Sequence, residues 1–278
     1  MRLAVAIADE KAGASAFVVW RGFAESIPKA ASYGFDGVEL ALRCKEDVDV
    51  PTLRSLLKAH NLSVSAISTG QMFADLNLYL TAEEGDTRAR AISVLDGLVE
   101  LAAEFGGMVN LGRSRGFISP RQTIGSATEL FLDSLNQVAV RAQTYGVTIV
   151  VEPVNRYEIN FINNVQQGVD ILSMTKTPNL GVMPDVFHMN IEDAHIGDAL
   201  RDAGALVKYI HFADSNRLAP GQGHLNFAEV FEALGDIGFD GWASVEILPV
   251  PTPDEAAKQA IQFLRPFMDA YHSRKPSH

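Results

Sequence analysis

Eight stretches of this chain are apolar almost without interruption: 2–7 (RLAVAI), 37–40 (GVEL), 63–68 (SVSAIS), 107–111 (GMVNL), 147–152 (VTIVVE), 180–183 (LGVM), 207–212 (VKYIHF) and 242–247 (WASVEI). A strand with one face in water alternates apolar and polar residues, so continuous runs of this kind predict parallel strands covered on both faces. The segments between them carry helical spacing. Residues 86–106 place Ala91, Val94, Leu95, Leu98, Leu101 and Ala102 along one stripe, and Gly106 offers a left-handed cap before the next strand. Residues 120–146 end on Gly146 in the same manner, and two near-copies, YGFDG (33–37) and IGFDG (237–241), each join a helix to the following strand. Strict alternation of eight strand–helix units predicts an α/β protein of the (β/α)8 TIM barrel type, one domain spanning residues 1–278. An open doubly wound sheet is the alternative. No Gly-x-Gly-x-x-Gly run follows the first strand to favour it, and no linker rich in Pro, Gly or Ser divides the chain.

The ends of the last four strands carry residues that packing does not call for. TIVVEPVNRYE reaches Glu152 and Glu158, LGVMPDVFH reaches Asp185 and His188, KYIHFADSNR reaches His211 and Arg217, and WASVEILP reaches Glu246. Neighbouring barrel strands lie about 4.8 Å apart, so four consecutive strand ends can surround one ion. Three carboxylates and one imidazole, Glu152, Asp185, Glu246 and His211, form a donor set for a hard divalent cation, with Mn²⁺ expected and Co²⁺, Mg²⁺ or Zn²⁺ as alternatives. Any one of these acids could instead cap a helix or pair with an arginine; four on successive strands point to a common centre. With His211 supplying the imidazole, His188 is assigned to a substrate oxygen, the alternative being a histidine that caps the following helix.

Composition narrows the partners. Among 278 residues, 47% are hydrophobic and 21% charged, the balance of a soluble globular domain. A net charge of −11 argues against nucleic acid, whose binding rests on cationic neutralisation of phosphates. One cysteine, Cys44, allows no internal disulfide and is expected to be an inert thiol in a reducing compartment. The first apolar run is too short for a secretory signal, and no stretch approaches the roughly 20 apolar residues that span a bilayer. The expectation is therefore a cytoplasmic protein without a membrane partner, ending in a frayed basic tail over 272–278. Arg43, Arg113 and Arg115 sit just after strands, where guanidinium forks suit carboxylates. If they face the site they favour an acidic sugar; otherwise they are surface charges or ion-pair partners. Phe73 and Trp20 are candidate apolar walls for a carbon chain, Gly221 and Gly223 permit a tight loop beside Arg217, and His224 either reaches the pocket or lies exposed. Aromatic loop residues also make dimer contacts, so a homo-oligomer is an expectation.

These motifs carry a resemblance. NRYE (155–158), DVFHMNIED (185–193) and HFADSNRLAPGQGH (211–224) resemble the motifs of the xylose isomerase-like barrel superfamily, and within it the ketose 3-epimerases of the D-tagatose and D-psicose group. STGQMFADLNLYLT (68–81), GRSRG (112–116) and EPVNRYEINFINN (152–164) are more similar still to the 5-keto-L-gluconate epimerase branch. The resemblance implies that Glu152, Asp185, His211 and Glu246 hold the metal, usually Mn²⁺ or Co²⁺, and that Glu158, His188 and Arg217 contact substrate. Val186 stands where these enzymes commonly have Thr, which leaves the ligand Asp185 in place but alters what surrounds it.

The implied reaction inverts a carbon next to a ketone. The proton there is too weakly acidic to leave unaided, so a metal on the carbonyl oxygen and adjacent hydroxyl stabilises the cis-enediolate, while a base and an acid act from opposite faces. Glu152 and Glu246 are the expected pair of opposed catalytic glutamates. The expected substrate is a small sugar or sugar acid: a keto-hexonate such as 5-keto-L-gluconate, or a ketose. An aldose–ketose isomerase of the hydroxypyruvate isomerase type and an inosose-type dehydratase share the intermediate. An endonuclease IV-type nuclease needs more histidines, and a non-catalytic sugar-acid binder would have no use for two opposed bases.

Overall fold

A computed structural model describes residues 1–13 and 16–274. The eight barrel strands are β1 (Arg2–Ala8), β2 (Gly37–Ala41), β3 (Ser63–Ser68), β4 (Met108–Leu111), β5 (Ile149–Val151), β6 (Leu180–Val182), β7 (Tyr209–Phe212) and β8 (Trp242–Val245). All pair in parallel, in the order β6-β5-β4-β3-β2-β1-β8-β7. The seam between β6 and β7 is held by two isolated bridges, Val182 with Val207 and Asp185 with His211, so the sheet is a nearly closed barrel rather than an open one. A further two-residue strand, Trp20–Arg21, pairs in parallel beside the carboxyl end of β1; it is too short to leave a periodic signal in the sequence.

Among the described residues ten helices lie between and after the strands: α1 (Phe23–Tyr33), α2 (Val50–His60), α3 (Gly70–Leu76), α4 (Gly85–Phe105), α5 (Ile124–Thr144), α6 (Val165–Ser173), α7 (Val186–Glu192), α8 (Ile196–Ala203), α9 (Phe227–Asp236) and α10 (Pro253–Arg274). The stripe expected on α4 is buried apart from the half-buried Val94, and Gly106 closes the helix in the left-handed region. The expected start of α5 moves from 120 to Ile124 because Thr123 and Ser126 form a reciprocal capping box there. The last helix continues to Arg274, and the His272 ring bonds the Met1 carbonyl at 2.8 Å. The expected frayed tail is thus helical through Arg274, while 275–278 lie outside the described residues. No helix among the described residues is long and apolar enough to cross a membrane.

The larger core lies between strands and helices; a smaller one fills the barrel with Ala4, Ala66, Val150, Met183, Tyr209 and Trp242. Small side chains from some strands make room for large ones from others, as a tapering barrel requires. Gly37 shows the tolerance: a Cβ there would lie 2.8 Å from the Trp242 ring. The two FDG copies do one job. Asp36 accepts from the Leu3 amide at 2.8 Å and Asp240 from the Met1 amino group at 3.0 Å, so both tether the start of β1 at the bottom of the barrel.

Candidate metal centre and substrate pocket

Each candidate ligand is delivered by a strand end. Glu152 follows β5 directly, Glu246 follows β8, His211 lies within β7, and Asp185 pairs with His211 across the seam. One donor atom from each of the four lies within 4.8 Å of all the others. His211 Nδ1 is 3.5 Å from Glu152 Oε1, 3.5 Å from Glu246 Oε2 and 3.7 Å from Asp185 Oδ2. This buried nitrogen has no hydrogen-bond partner. A buried orphan nitrogen facing three carboxylates fits a divalent cation, which would satisfy all four at once.

The other imidazole nitrogen, His211 Nε2, faces the fully buried Glu39 at 2.8 and 3.1 Å, and the Tyr209 hydroxyl donates to the same carboxylate at 3.1 Å. Asn110 Nδ2 donates to Glu152 Oε2 at 2.9 Å. Gly112 leaves space for that carboxylate, since a Cβ there would come within 2.6 Å of Oε2. Arg217 donates to Asp185 Oδ2 at 2.8 Å and to Glu246 Oε2, with its guanidinium between the rings of Phe17 (4.9 Å) and Phe187 (4.7 Å). Its backbone is left-handed, φ 62°, in a loop tied down by Asp214, which accepts amide bonds from Ser215, Gly221 and Leu225.

His188 has a defined tautomer. Asn155 Oδ1 accepts from the Tyr157 amide at 3.0 Å, which turns Asn155 Nδ2 toward His188 Nδ1 at 2.8 Å. Nδ1 is therefore an acceptor and Nε2 carries the proton. The same Asn155 amide holds Glu158 Oε1 at 3.1 Å. Burial pulls His188 below the ordinary histidine range, so the ring is a neutral donor on the cavity wall.

The two glutamates differ. Burial pushes Glu246 up to about 8 against the opposing charges of His211 and Arg217, and repulsion from Glu152 and Glu39 adds to the rise. Burial acts on Glu152 in the same sense, but the His211 ring beside it, with help from His188, holds it below the usual carboxylate value. For His211, burial opposes the charged ring, yet the charges of Glu39 and Glu246 keep it well above its normal value.

Above the cluster lies a cavity of about 490 Å³, counting the open space at its mouth. Glu152, Glu158, His188, Arg217, Glu246 and Arg113 all line it, with Phe17 as an aromatic wall. The Arg113 guanidinium makes no hydrogen bond to another described residue and lies 5.8 Å over the Phe73 ring.

Several expectations need correction. Arg115 is fully buried and donates to the carbonyls of Gly112, Phe161 and Ile162, so its fork binds backbone and does not reach the cavity. Arg43 is paired with Asp47 at 2.6 Å. Trp20 stacks on Tyr33 at 5.7 Å and donates to Asp254, away from the pocket, and Phe73 packs edge-on to Tyr79 and Phe117. His224 is exposed and bonds Ser215 Oγ at 2.9 Å. Burial raises the Cys44 thiol, in keeping with low reactivity. Glu39, Asn110, Asn155 and Phe17 were given no role from sequence; Glu39 offered the same signal as Glu246, an acid inside an apolar strand.

A parallel barrel that gathers three carboxylates and an imidazole at its carboxyl mouth, beneath a polar-lined cavity, defines an α/β-barrel enzyme with a candidate divalent-cation site. Residues 27–267 match the xylose isomerase-like TIM barrel family, and the chain belongs to it. It is 33% identical to a ketose 3-epimerase of Arthrobacter globiformis over 81% of this chain and 79% of that protein. It is 32% identical to a D-psicose 3-epimerase of Ruminiclostridium cellulolyticum over 79% and 76% of the two. The crystal structure of a D-allulose 3-epimerase from Methylomonas sp. has the same fold, with a TM-score of 0.83 and 23% identity over 96% of this chain and 98% of that one. The chain is an enzyme of the carbohydrate epimerase type.

Proposed function

We propose that this enzyme epimerises a small keto sugar or keto sugar acid, inverting the carbon beside the ketone with Glu152 and Glu246 and one divalent cation, Mn²⁺ in the first instance. The observation that carries the reading is the orphan His211 Nδ1 facing Glu152, Asp185 and Glu246, with both glutamates also lining the cavity. When bound, the cation supplies Lewis-acid polarisation of the substrate's carbonyl and neighbouring hydroxyl.

The protein's own groups do the rest. Glu152 and Glu246 directly follow strands β5 and β8, and the proposed substrate lies across the mouth between them, one carboxylate to each face. One takes the proton from carbon and the other returns a proton from the opposite side; the substrate's configuration decides which begins. His188 presents its Nε2 proton to a substrate oxygen, and Asn155 keeps it there. Arg217 fixes Asp185 and Glu246 relative to each other and, with Glu158, borders the substrate. The Phe17 ring closes one side against water. Arg113, free of a carboxylate partner among the described residues, suits an acidic substrate such as a 5-keto-hexonate.

The test is turnover of keto-hexonates and neutral ketoses in deuterated water with Mn²⁺ added. Epimerisation places one deuterium on the inverted carbon. Label at C1 or C2, with a ketose and an aldose interconverted, would instead establish an isomerase of the hydroxypyruvate isomerase type. Binding of a sugar acid without any exchange would leave a non-catalytic binder. Turnover of neutral ketoses alone would remove Arg113 from substrate recognition.

A further inference from the structure

We propose that Glu39 is the positioning residue of the metal centre: through its hydrogen bond to His211 it selects the tautomer whose Nδ1 is the ligand, and so sets metal affinity. The inference rests on the metal site proposed above.

Glu39 lies on β2, on the far side of the His211 ring from the cavity, and is completely buried. A carboxylate accepts hydrogen bonds, and Glu39 receives the Tyr209 hydroxyl at 3.1 Å as well as His211 Nε2 at 2.8 Å. In the singly protonated ring that binds a metal, the proton therefore belongs on Nε2, which leaves the Nδ1 lone pair for an ion held by the three carboxylates. A carboxylate behind a ligating imidazole fixes its orientation and raises its basicity.

The barrel is locally adapted to hold this acid. Its register neighbours are the alanines Ala6 on β1 and Ala66 on β3, which leave room for it. The β2–β3 register shifts between Val38 and Glu39, and the residue passed over, Ser65, sends its hydroxyl to Tyr209 at 2.7 Å. Ser65, Tyr209, Glu39 and His211 thus form one chain of hydrogen bonds from the barrel interior to the ligand cluster. A buried charge in a packed barrel costs stability unless it is fully bonded, so its presence asks for a purpose beyond packing.

The experiment strips the protein of metal and titrates Mn²⁺ against a competing fluorescent chelator, comparing the parent with Glu39→Gln. Glutamine keeps the size and an acceptor oxygen but loses the charge, and the expected result is an affinity about 10–100-fold weaker. Melting of the metal-free variant, followed by circular dichroism, separates this from a structural effect, since a structural role would lower the melting point and leave the folded protein's affinity unchanged. Parent-like affinity in Glu39→Gln overturns the role of Glu39. If that variant does not fold, nitrogen-15 correlation spectra of the Zn²⁺-loaded parent decide: a His211 protonated at Nε2 supports the proposal, and metal at Nε2 overturns it. A parent that binds no divalent ion overturns the metal site itself, and this inference with it.

Discussion

Replacing Arg217 with Met tests whether a cation is needed between the carboxylates. Arg217 is 5% exposed and bonds Asp185 and Glu246 together, while its flat face is covered by Phe17 and Phe187. Methionine retains much of the stem's apolar contact but, among the described residues, leaves the acids with His211 as their cationic neighbour. Removing one partner of a buried ion pair costs about 3–5 kcal/mol. In a chain of this size each kcal/mol lowers the melting point by about 2–4 °C, so the metal-free variant should melt on the order of 10 °C below the parent. Mn²⁺ brings positive charge to the same carboxylates, so the rise in melting point on adding it should be larger in the variant than in the parent. The pH dependence has a fixed sign. Burial would raise Asp185, but the charge of Arg217, with His188 and His211 helping, holds it well below the usual carboxylate range. A depressed folded value gives stability that is present above the unfolded pKa of about 3.9 and is lost as pH falls below it. The variant's deficit should therefore be complete at pH 8 and shrink in acid. The assay is denaturant unfolding of metal-stripped protein across pH, repeated with Mn²⁺. A metal-free variant within about 1 kcal/mol of the parent at pH 8 would refute the claim that Arg217 offsets the acids.

Glu246→Gln should stay folded and lose at least about 10²–10⁴-fold in kcat, measured on whichever sugar the parent turns over; parent-like turnover would remove Glu246 from the mechanism. Arg115→Met should destabilise by about 1–3 kcal/mol in urea unfolding, because it removes both Arg115 donors from the Phe161 carbonyl in the interior; an unaffected midpoint would return Arg115 to the candidates for substrate contact. Burial raises Asp193 to about 6, with Oδ2 unpartnered and Oδ1 accepting the Val165 amide at 3.4 Å. Its proton is held more tightly in the native state than in the unfolded chain, so this residue's contribution falls as pH rises through about 4–6. After discounting for partial exposure, Asp193→Asn should be about 1–2 kcal/mol more stable than the parent at pH 7.5 and no more stable at pH 4; an equal difference at both pH values would rule out titration as the cause. Amide exchange at Lys208 and His211, which bond Val182 and Pro184 across the seam, should slow when the divalent ion is added, as hydrogen-exchange mass spectrometry would reveal; unchanged rates would separate metal binding from barrel closure.

The barrel was legible because its strands are buried on both faces and therefore read as unbroken apolar runs. The four candidate ligands were legible because an acid or imidazole at the end of such a run has no packing reason to be there. Side-chain direction was not. Arg113 and Arg115 look equivalent in GRSRG, yet both lie in a single 3-10 turn, Arg113–Arg115, where residues two apart point about 240° from each other. One reaches the cavity and the other is driven into the wall. Arg43 has an acid four residues on in Asp47, a local partner that outcompetes a distant site. Glu39 was hidden by the habit of reading a four-residue apolar run as structure alone.

The seam adds a physical reason for where the centre sits. Elsewhere neighbouring strands among the eight of the barrel share three or more paired positions, but β6 and β7 meet through two isolated bridges. Pro184 contributes an acceptor there, to the His211 amide at 2.9 Å, but has no amide proton to extend the ladder. Asp185 and His211 stand on opposite sides of that gap, and Arg217 bridges Asp185 to Glu246 on β8's end. The carboxyl end of the barrel is therefore joined around this arc by side-chain charge where backbone pairing is thin. Replacing the four ligands by apolar residues would remove a binding site and a fastening together, so loss of activity and loss of stability in such a variant share one cause.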